Sequence, residues 1–131
     1  MLKTILSISG RPGLYKLISR GKNMLLVESL TPEKKRFPVY AADRVVSLGD
    51  ISMYTTGDDI PLAKVLQNVM EKEGGNAASI DPKKASSDEL RAYFQTVLPD
   101  YDRERVYVTD IKKLIVWYNI LMANDIKTFE E

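Results

Sequence analysis

The chain is predicted to fold as an α+β protein, a small SH3-like antiparallel β barrel over residues 1–60 followed by a three-helix unit over 61–131. Two observations carry this prediction. Up to Thr56, short β-branched, aromatic and leucine-rich stretches are separated at close intervals by turn residues, which is the pattern of antiparallel strands. From Leu62 onward the apolar residues recur at helical spacing instead. A third observation limits the chemistry: the 131 residues include neither histidine nor cysteine.

The first strand is expected over 5–9, ending at Ser9-Gly10-Arg11-Pro12-Gly13, where Pro12 can set the second position of a type II turn and Gly13 the positive φ of the third. Strands over 14–20 and 24–30 follow, broken by Gly21-Lys22-Asn23 and Thr31-Pro32-Glu33. The stretch 36–40 contains Pro38, which cannot donate to a ladder and so suits an edge or a bulge. Strands over 45–48 and 51–55 flank Gly49-Asp50 and would complete the sheet. Five or six strands this short are too few for a two-layer sandwich, because neither layer would cover the other. A strongly bent barrel, closing most of its edges, is the expected solution.

Leu62, Val65, Leu66, Val69 and Met70 form the apolar stripe of the first helix, with Pro61 at its start and Gly74-Gly75 at its end. The second opens at Ser86-Ser87-Asp88-Glu89, a capping-box spacing, carries Leu90, Tyr93, Phe94, Val97 and Leu98, and stops at Pro99. The third is expected from Thr109 or Asp110, with a stripe of Ile111, Leu114, Ile115, Tyr118, Leu121 and Met122. Between the first two, residues 74–85 are rich in Gly, Ala, Ser, Asn and Pro without an apolar period, and read as a flexible linker.

Without histidine and cysteine the commonest acid–base and nucleophilic groups are missing, as are the usual zinc and haem ligands. No catalytic residue, cofactor or metal site is therefore assigned. A charge of +1, from 19 basic and 18 acidic side chains, gives no overall pull toward nucleic acid or anionic membrane. The N-terminal apolar stretch is cut by Arg11, Pro12 and Lys16, so no signal peptide is read, and no apolar run approaches the ~20 residues of a membrane span. A cytoplasmic location is the expectation.

Three features could carry function. Val116, Trp117 and Ile120 widen the stripe of the third helix until it is apolar nearly all round; a central buried helix is the favoured reading, and a subunit interface through Trp117 and Ile120, giving a homodimer, is the functional one. Lys34, Lys35 and Arg36, followed by Phe37 and Tyr40, combine phosphate-neutralising charge with stackable rings, a candidate surface for RNA or single-stranded DNA. A lysine-protected edge strand is the plainer account. Asp100, Asp102, Glu104 and Asp110 form an acidic cluster, read as helix capping and surface pairing because Arg103 and Arg105 are interleaved. Gly10-Arg11-Pro12-Gly13 has the G-x-x-G spacing of nucleic-acid clamps, but with strands on either side it reads as a turn.

Two stretches carry a family resemblance. One runs from Met1 to Leu17 and includes Ser9-Gly10-Arg11-Pro12-Gly13-Leu14-Tyr15; the other is Leu98-Pro99-Asp100-Tyr101-Asp102, continuing through Arg105-Val106-Tyr107, Asp110-Ile111-Lys112-Lys113 and Trp117-Tyr118. Over nearly the whole chain this resembles an uncharacterised family of small proteins from Bacteroidetes-type bacteria. The resemblance implies an N-terminal β domain and a C-terminal helical one, both of unknown function, and supplies no site residue. The expectation is a non-catalytic interaction module that binds a protein partner through the barrel's loops and edge. Nucleic-acid binding through 34–40 is the alternative, and an enzyme built on carboxylates with Tyr or Lys ranks third.

Overall fold

The structure, a computed structural model, describes residues 2–40 and 43–129. Alternating side chains in the first half build one antiparallel sheet from β1 (Ile5–Ile8), β2 (Arg11–Gly21), β3 (Met24–Ser29), β4 (Arg36–Tyr40) and β5 (Val45–Ser47), in the order β4-β3-β2-β1-β5. The β2–β3 reversal needs only Lys22 and Asn23, and Asn23 takes the left-handed conformation (φ 61°) that asparagine tolerates. At the β1–β2 end the reversal falls on Ser9-Gly10, with Gly10 at φ 81°, three residues before the expected turn. Pro12 and Gly13 instead belong to a bulge: β2 spends residues 12–14 opposite Ser7 alone, with Gly13 at φ 85°. A second bulge falls at Ile18.

The expected closed SH3-like barrel is not formed. β4 and β5 end the strand order, leaving an open five-stranded sheet. The reason lies in the sixth apolar stretch. After β5 the chain turns through a 3-10 segment, Leu48–Asp50; only Ser52–Met53 (β6) is then extended, and it pairs with β7 (Ile60–Pro61) rather than with the sheet. The segment that could have closed the edge instead delivers the chain into α1, whose first amide, on Leu62, donates to the Ile51 carbonyl.

Three helices follow: α1 (Leu62–Glu73), α2 (Ser87–Val97) and α3 (Val108–Ala123). Pro61 is the N-cap of α1 rather than part of its first turn, and Gly74, left-handed at φ 66°, ends it. The Ser86 hydroxyl accepts from the Glu89 amide while the Glu89 carboxylate accepts from the Ser86 amide, so the capping box of α2 is formed. α3 begins at Val108 because Asp110 accepts from the Tyr107 amide at 2.9 Å. α3 is the central helix: it contacts α1, α2 and β2, and Ile111, Leu114, Ile115, Tyr118 and Leu121 are buried.

The two faces of the sheet have different partners. One face gathers Leu6, Ile8, Tyr15, Val27 and Val39, with Leu17, Leu25, Phe37 and Val45 around them, so all five strands feed a small core of their own. The other sends Ile5 and Leu14, with Leu2 and Leu48, into the main core beside Leu66, Leu90, Phe94 and Tyr118. Sheet and helices thus share one apolar interior. Residues 74–85, expected to be a linker, follow a path tied down by hydrogen bonds. Asn119, the polar interruption in α3, accepts from the Ala78 amide at 2.8 Å, the Tyr118 hydroxyl donates to the Asn76 carbonyl at 2.5 Å, and Pro82 is buried.

Candidate binding groove

A groove runs between the helix-facing side of β1 and β5 and the flank of α3. Its geometry follows from the register. Ser7 pairs with Val46, and both point away from Leu6 and Ile8, toward α3. Along α3, Lys113 and Trp117 are four residues apart and therefore share a face. These two side chains line three adjoining hollows. One, of about 210 Å³, is walled by Ile51, Met53, Leu62, Val106 and Leu114 with Tyr54 at its rim. The second is bounded by Ser7, Ser9, Arg44 and Val46. The third lies between the β1–β2 turn and Lys112, Lys113 and Val116.

The groove concentrates exposed apolar surface. Val46 (46 % exposed) and Tyr54 (43 %), two of the four most exposed large apolar side chains, both stand on it, next to a half-buried Trp117. Its charge is predominantly positive. Arg44, Lys112 and Lys113 are exposed and have no acidic partner among the described residues. The Arg11 guanidinium is turned to the Phe37 ring, 4.5 Å from its centroid. Of the acids, Asp110 lines the apolar hollow, and its carboxylate is engaged by the Tyr107 amide.

The other candidates are distributed differently. In the segment 34–40, Lys35 pairs with Glu33 at 3.2 Å and Arg36 with Glu28 at 2.8 Å, while Phe37 packs edge-on against Tyr15. Lys34 and Tyr40 are exposed. Trp117 and Ile120 part company: Trp117 lines the groove, whereas the Ile120 side chain lies 3.9 Å from where a Gly13 Cβ would stand, against the β2 bulge. In the acidic cluster, Asp102 accepts from Arg105 at 2.8 Å and from the Glu104 amide, which hold its carboxyl below the usual range; the same pairing raises Arg105, whose guanidinium lies 4.4 Å from the Tyr54 ring. Among the described residues no group of three or more carboxylates is placed to hold a metal ion. Nor is any helix among them long and apolar enough to cross a membrane.

A second polar cluster joins the end of α1 to α2. The Glu73 carboxylate accepts from the Tyr93 hydroxyl (2.5 Å), the Ser79 amide (2.8 Å) and the Ser79 hydroxyl (2.9 Å). Partial burial raises the Glu73 pKa, but the Ser79 amide, the Tyr93 and Ser79 hydroxyls and the Lys72 charge together hold it below its ordinary value. Tyr93 is pushed far up, first by burial and then by its bond to Glu73. These bonds tie the end of α1 to α2 and to the connection that follows it.

Sequence reasoning singled out Trp117 but missed Lys112, Lys113, Val46 and Tyr54 as its neighbours. Nothing local joins residues 44–46 to 112–117; only the strand register and the packing of α3 do.

The fold and the groove define a class of α+β protein in which an open antiparallel sheet and a three-helix unit share one core and leave a cleft along their seam. Residues 2–48 match a family model described as "Domain of unknown function (DUF5606)", and residues 51–121 match one described as "Domain of unknown function (DUF6852)". A solution NMR structure from Bacteroides vulgatus, a structural-genomics target, is 64 % identical, covers 98 % of this chain and 91 % of its own, and superposes with a TM-score of 0.82. No curated protein matches. The chain belongs to this uncharacterised Bacteroidetes family, as the N-terminal and C-terminal motifs lead one to expect.

Proposed function

We propose that the protein is a non-catalytic interaction module that holds a partner protein in the groove between β1–β5 and α3. The observation that carries this reading is the gathering of Val46, Tyr54 and Trp117 on one concave surface, since exposed apolar side chains that cluster mark interaction sites where scattered ones do not. Tryptophan and tyrosine are also the side chains most often found anchoring such contacts. The pairing of Lys35 and Arg36 with acids, and the inward packing of Phe37, favour this groove over the segment 34–40. On the finer architecture we read the sheet as an SH3-like roll left open between β4 and β5, supported by the single apolar cluster to which all five strands contribute. A cytoplasmic setting goes with the proposal, on the cysteine-free composition.

The test is selection of displayed random peptides on the folded protein. Binders are expected whose signal is lost in Val46→Asp and in Trp117→Ala, with the fold of each variant verified by circular dichroism. Binders that all survive both substitutions would refute the groove.

A further inference from the structure

The proposed groove takes an object of some kind; its charge and the shape of its apolar hollow narrow the chemistry. We infer that the ligand is an extended, acidic segment of a partner protein, with a bulky apolar side chain set among Asp and Glu. This rests on the reading of the groove as a protein-binding surface.

Charge complementarity comes first. Arg44 reaches the groove from the start of β5, and Lys112 and Lys113 from α3, with no carboxylate among the described residues to neutralise them. Cations left unpaired on both walls of one cleft create a local positive potential that the chain's overall +1 conceals. Asp110 offsets one of these charges, since the neutral Tyr107 amide that donates to it at 2.9 Å cancels none of its own, and three basic side chains against one acid leave the excess positive.

The hollow beside Trp117 decides between peptide and nucleic acid. Its walls are mainly apolar, with Ile51, Met53, Leu62, Val106 and Leu114 beside Trp117, and the Tyr54 ring at its rim already has the Arg105 guanidinium 4.4 Å from its centroid. A nucleobase entering it would have Trp117 to stack on, but only Ser52, Asp110 and Lys113 to receive its polar edge, the rest of which would face apolar groups. A leucine, methionine or phenylalanine side chain brings no such groups and gains by leaving water. In an extended peptide successive residues advance about 3.3 Å, so acids on either side of that anchor fall within reach of long Arg and Lys side chains on both walls.

The experiment compares peptide selection on the wild-type protein with selection on Arg44→Glu/Lys112→Glu/Lys113→Glu, whose substituted side chains are exposed and whose melting temperature is checked first. Binders to the wild type are expected to be enriched in Asp and Glu around one bulky apolar residue, and binders to the variant in Lys and Arg. A synthetic wild-type binder should weaken at least about tenfold on the variant, and several-fold on the wild type between roughly 50 and 300 mM salt. Neutral or basic binders that still require Val46 and Trp117 would overturn the acidic ligand and leave the groove standing. Binders indifferent to Val46 and Trp117 would overturn the groove as well. Tighter binding of an oligothymidylate than of any selected peptide at low salt would overturn both in favour of nucleic acid.

Discussion

Glu73→Ala is the substitution by which the structure can be held to account most closely. The carboxylate receives three hydrogen bonds, from the Tyr93 hydroxyl and from the amide and hydroxyl of Ser79, and thereby ties the end of α1 both to α2 and to the connection that follows. Bonds to a charged acceptor contribute about 1.5–3 kcal/mol each, so three at the low end would be worth about 4.5 kcal/mol if fully shielded. The site is open to solvent on one side, which screens the charge and re-solvates the freed groups, and somewhat under half of that remains: about 1.5–2 kcal/mol. For a chain of this length the loss corresponds to a melting temperature lower by about 5–8 °C. The pH dependence gives the sharper check. Because Glu73 is held below its ordinary value of 4.5, its contribution is complete above that pH and disappears as the pH falls through the folded-state value. The gap between wild type and variant, measured by thermal denaturation, should therefore be widest near neutrality and close in acid. Tyr93→Phe should remove part of the same energy, so the double variant should lose less than the sum of the singles. A gap of the same size at pH 3 and pH 7, or strictly additive losses, would refute the assignment of Glu73 as the acceptor that organises this junction.

Tyr93, with its pKa raised by burial and by Glu73, stabilises the fold below its ordinary value of 10.0 and loses that contribution as the pH rises beyond it; alkaline unfolding followed by circular dichroism should shift to higher pH in Tyr93→Phe. The Tyr101 hydroxyl is buried without a hydrogen-bond partner among the described residues, so Tyr101→Phe should leave stability unchanged or raise it by up to about 1 kcal/mol in urea titrations; a loss above that would reveal a partner for the hydroxyl. Gly49→Ala should cost about 1–3 kcal/mol in the same assay, because a Cβ there would meet the backbone of Lys3 at 2.9 Å, which cannot swing aside as a side chain can. Ser86→Ala should cost about 1 kcal/mol by removing the hydroxyl that accepts from the first turn of α2, and a neutral result would mean that the helix start is held by packing alone.

Local chemistry was read correctly wherever the cause of a structure lies within a few residues. Ser86 and Glu89 announce a helix start, Gly74 its end, and Asn23 a tight reversal, because each satisfies or frees a backbone group close to itself. The failures are those of long-range pairing. Pro12-Gly13 has turn chemistry, yet the reversal three residues earlier at Ser9-Gly10 lets Leu6 and Tyr15 face each other in the small core, with Pro12-Gly13 absorbed as a bulge. The stretch 51–55 has strand composition but ends in a two-residue ladder with β7, since the entry into α1 fixes Ile51 through the Leu62 amide. The run 74–85 has linker composition, and what gives it a path is Glu73, Tyr118 and Asn119, none of which belongs to it. The groove was half legible: Trp117 was visible as an aromatic in excess of what one helix face needs, but its cationic surroundings are assembled from the β5 and α3 regions of the chain.

That origin bears on why a seam would suit the binding proposed for it. One wall of the groove comes from the part of the chain matched by the first family model and the other from the part matched by the second. A cleft between two loosely joined parts would have to be ordered by its ligand, at a cost drawn from the affinity. Here Leu2, Ile5, Leu14 and Leu48 enter the same interior as Leu66, Phe94 and Tyr118, so the walls are fixed relative to each other by apolar burial before any partner arrives. Packing between the two halves would therefore supply the preorganisation that the proposed binding needs, and the side chains above it, Val46, Tyr54, Trp117 and three cations without an acidic partner among the described residues, would be free to determine what the groove takes.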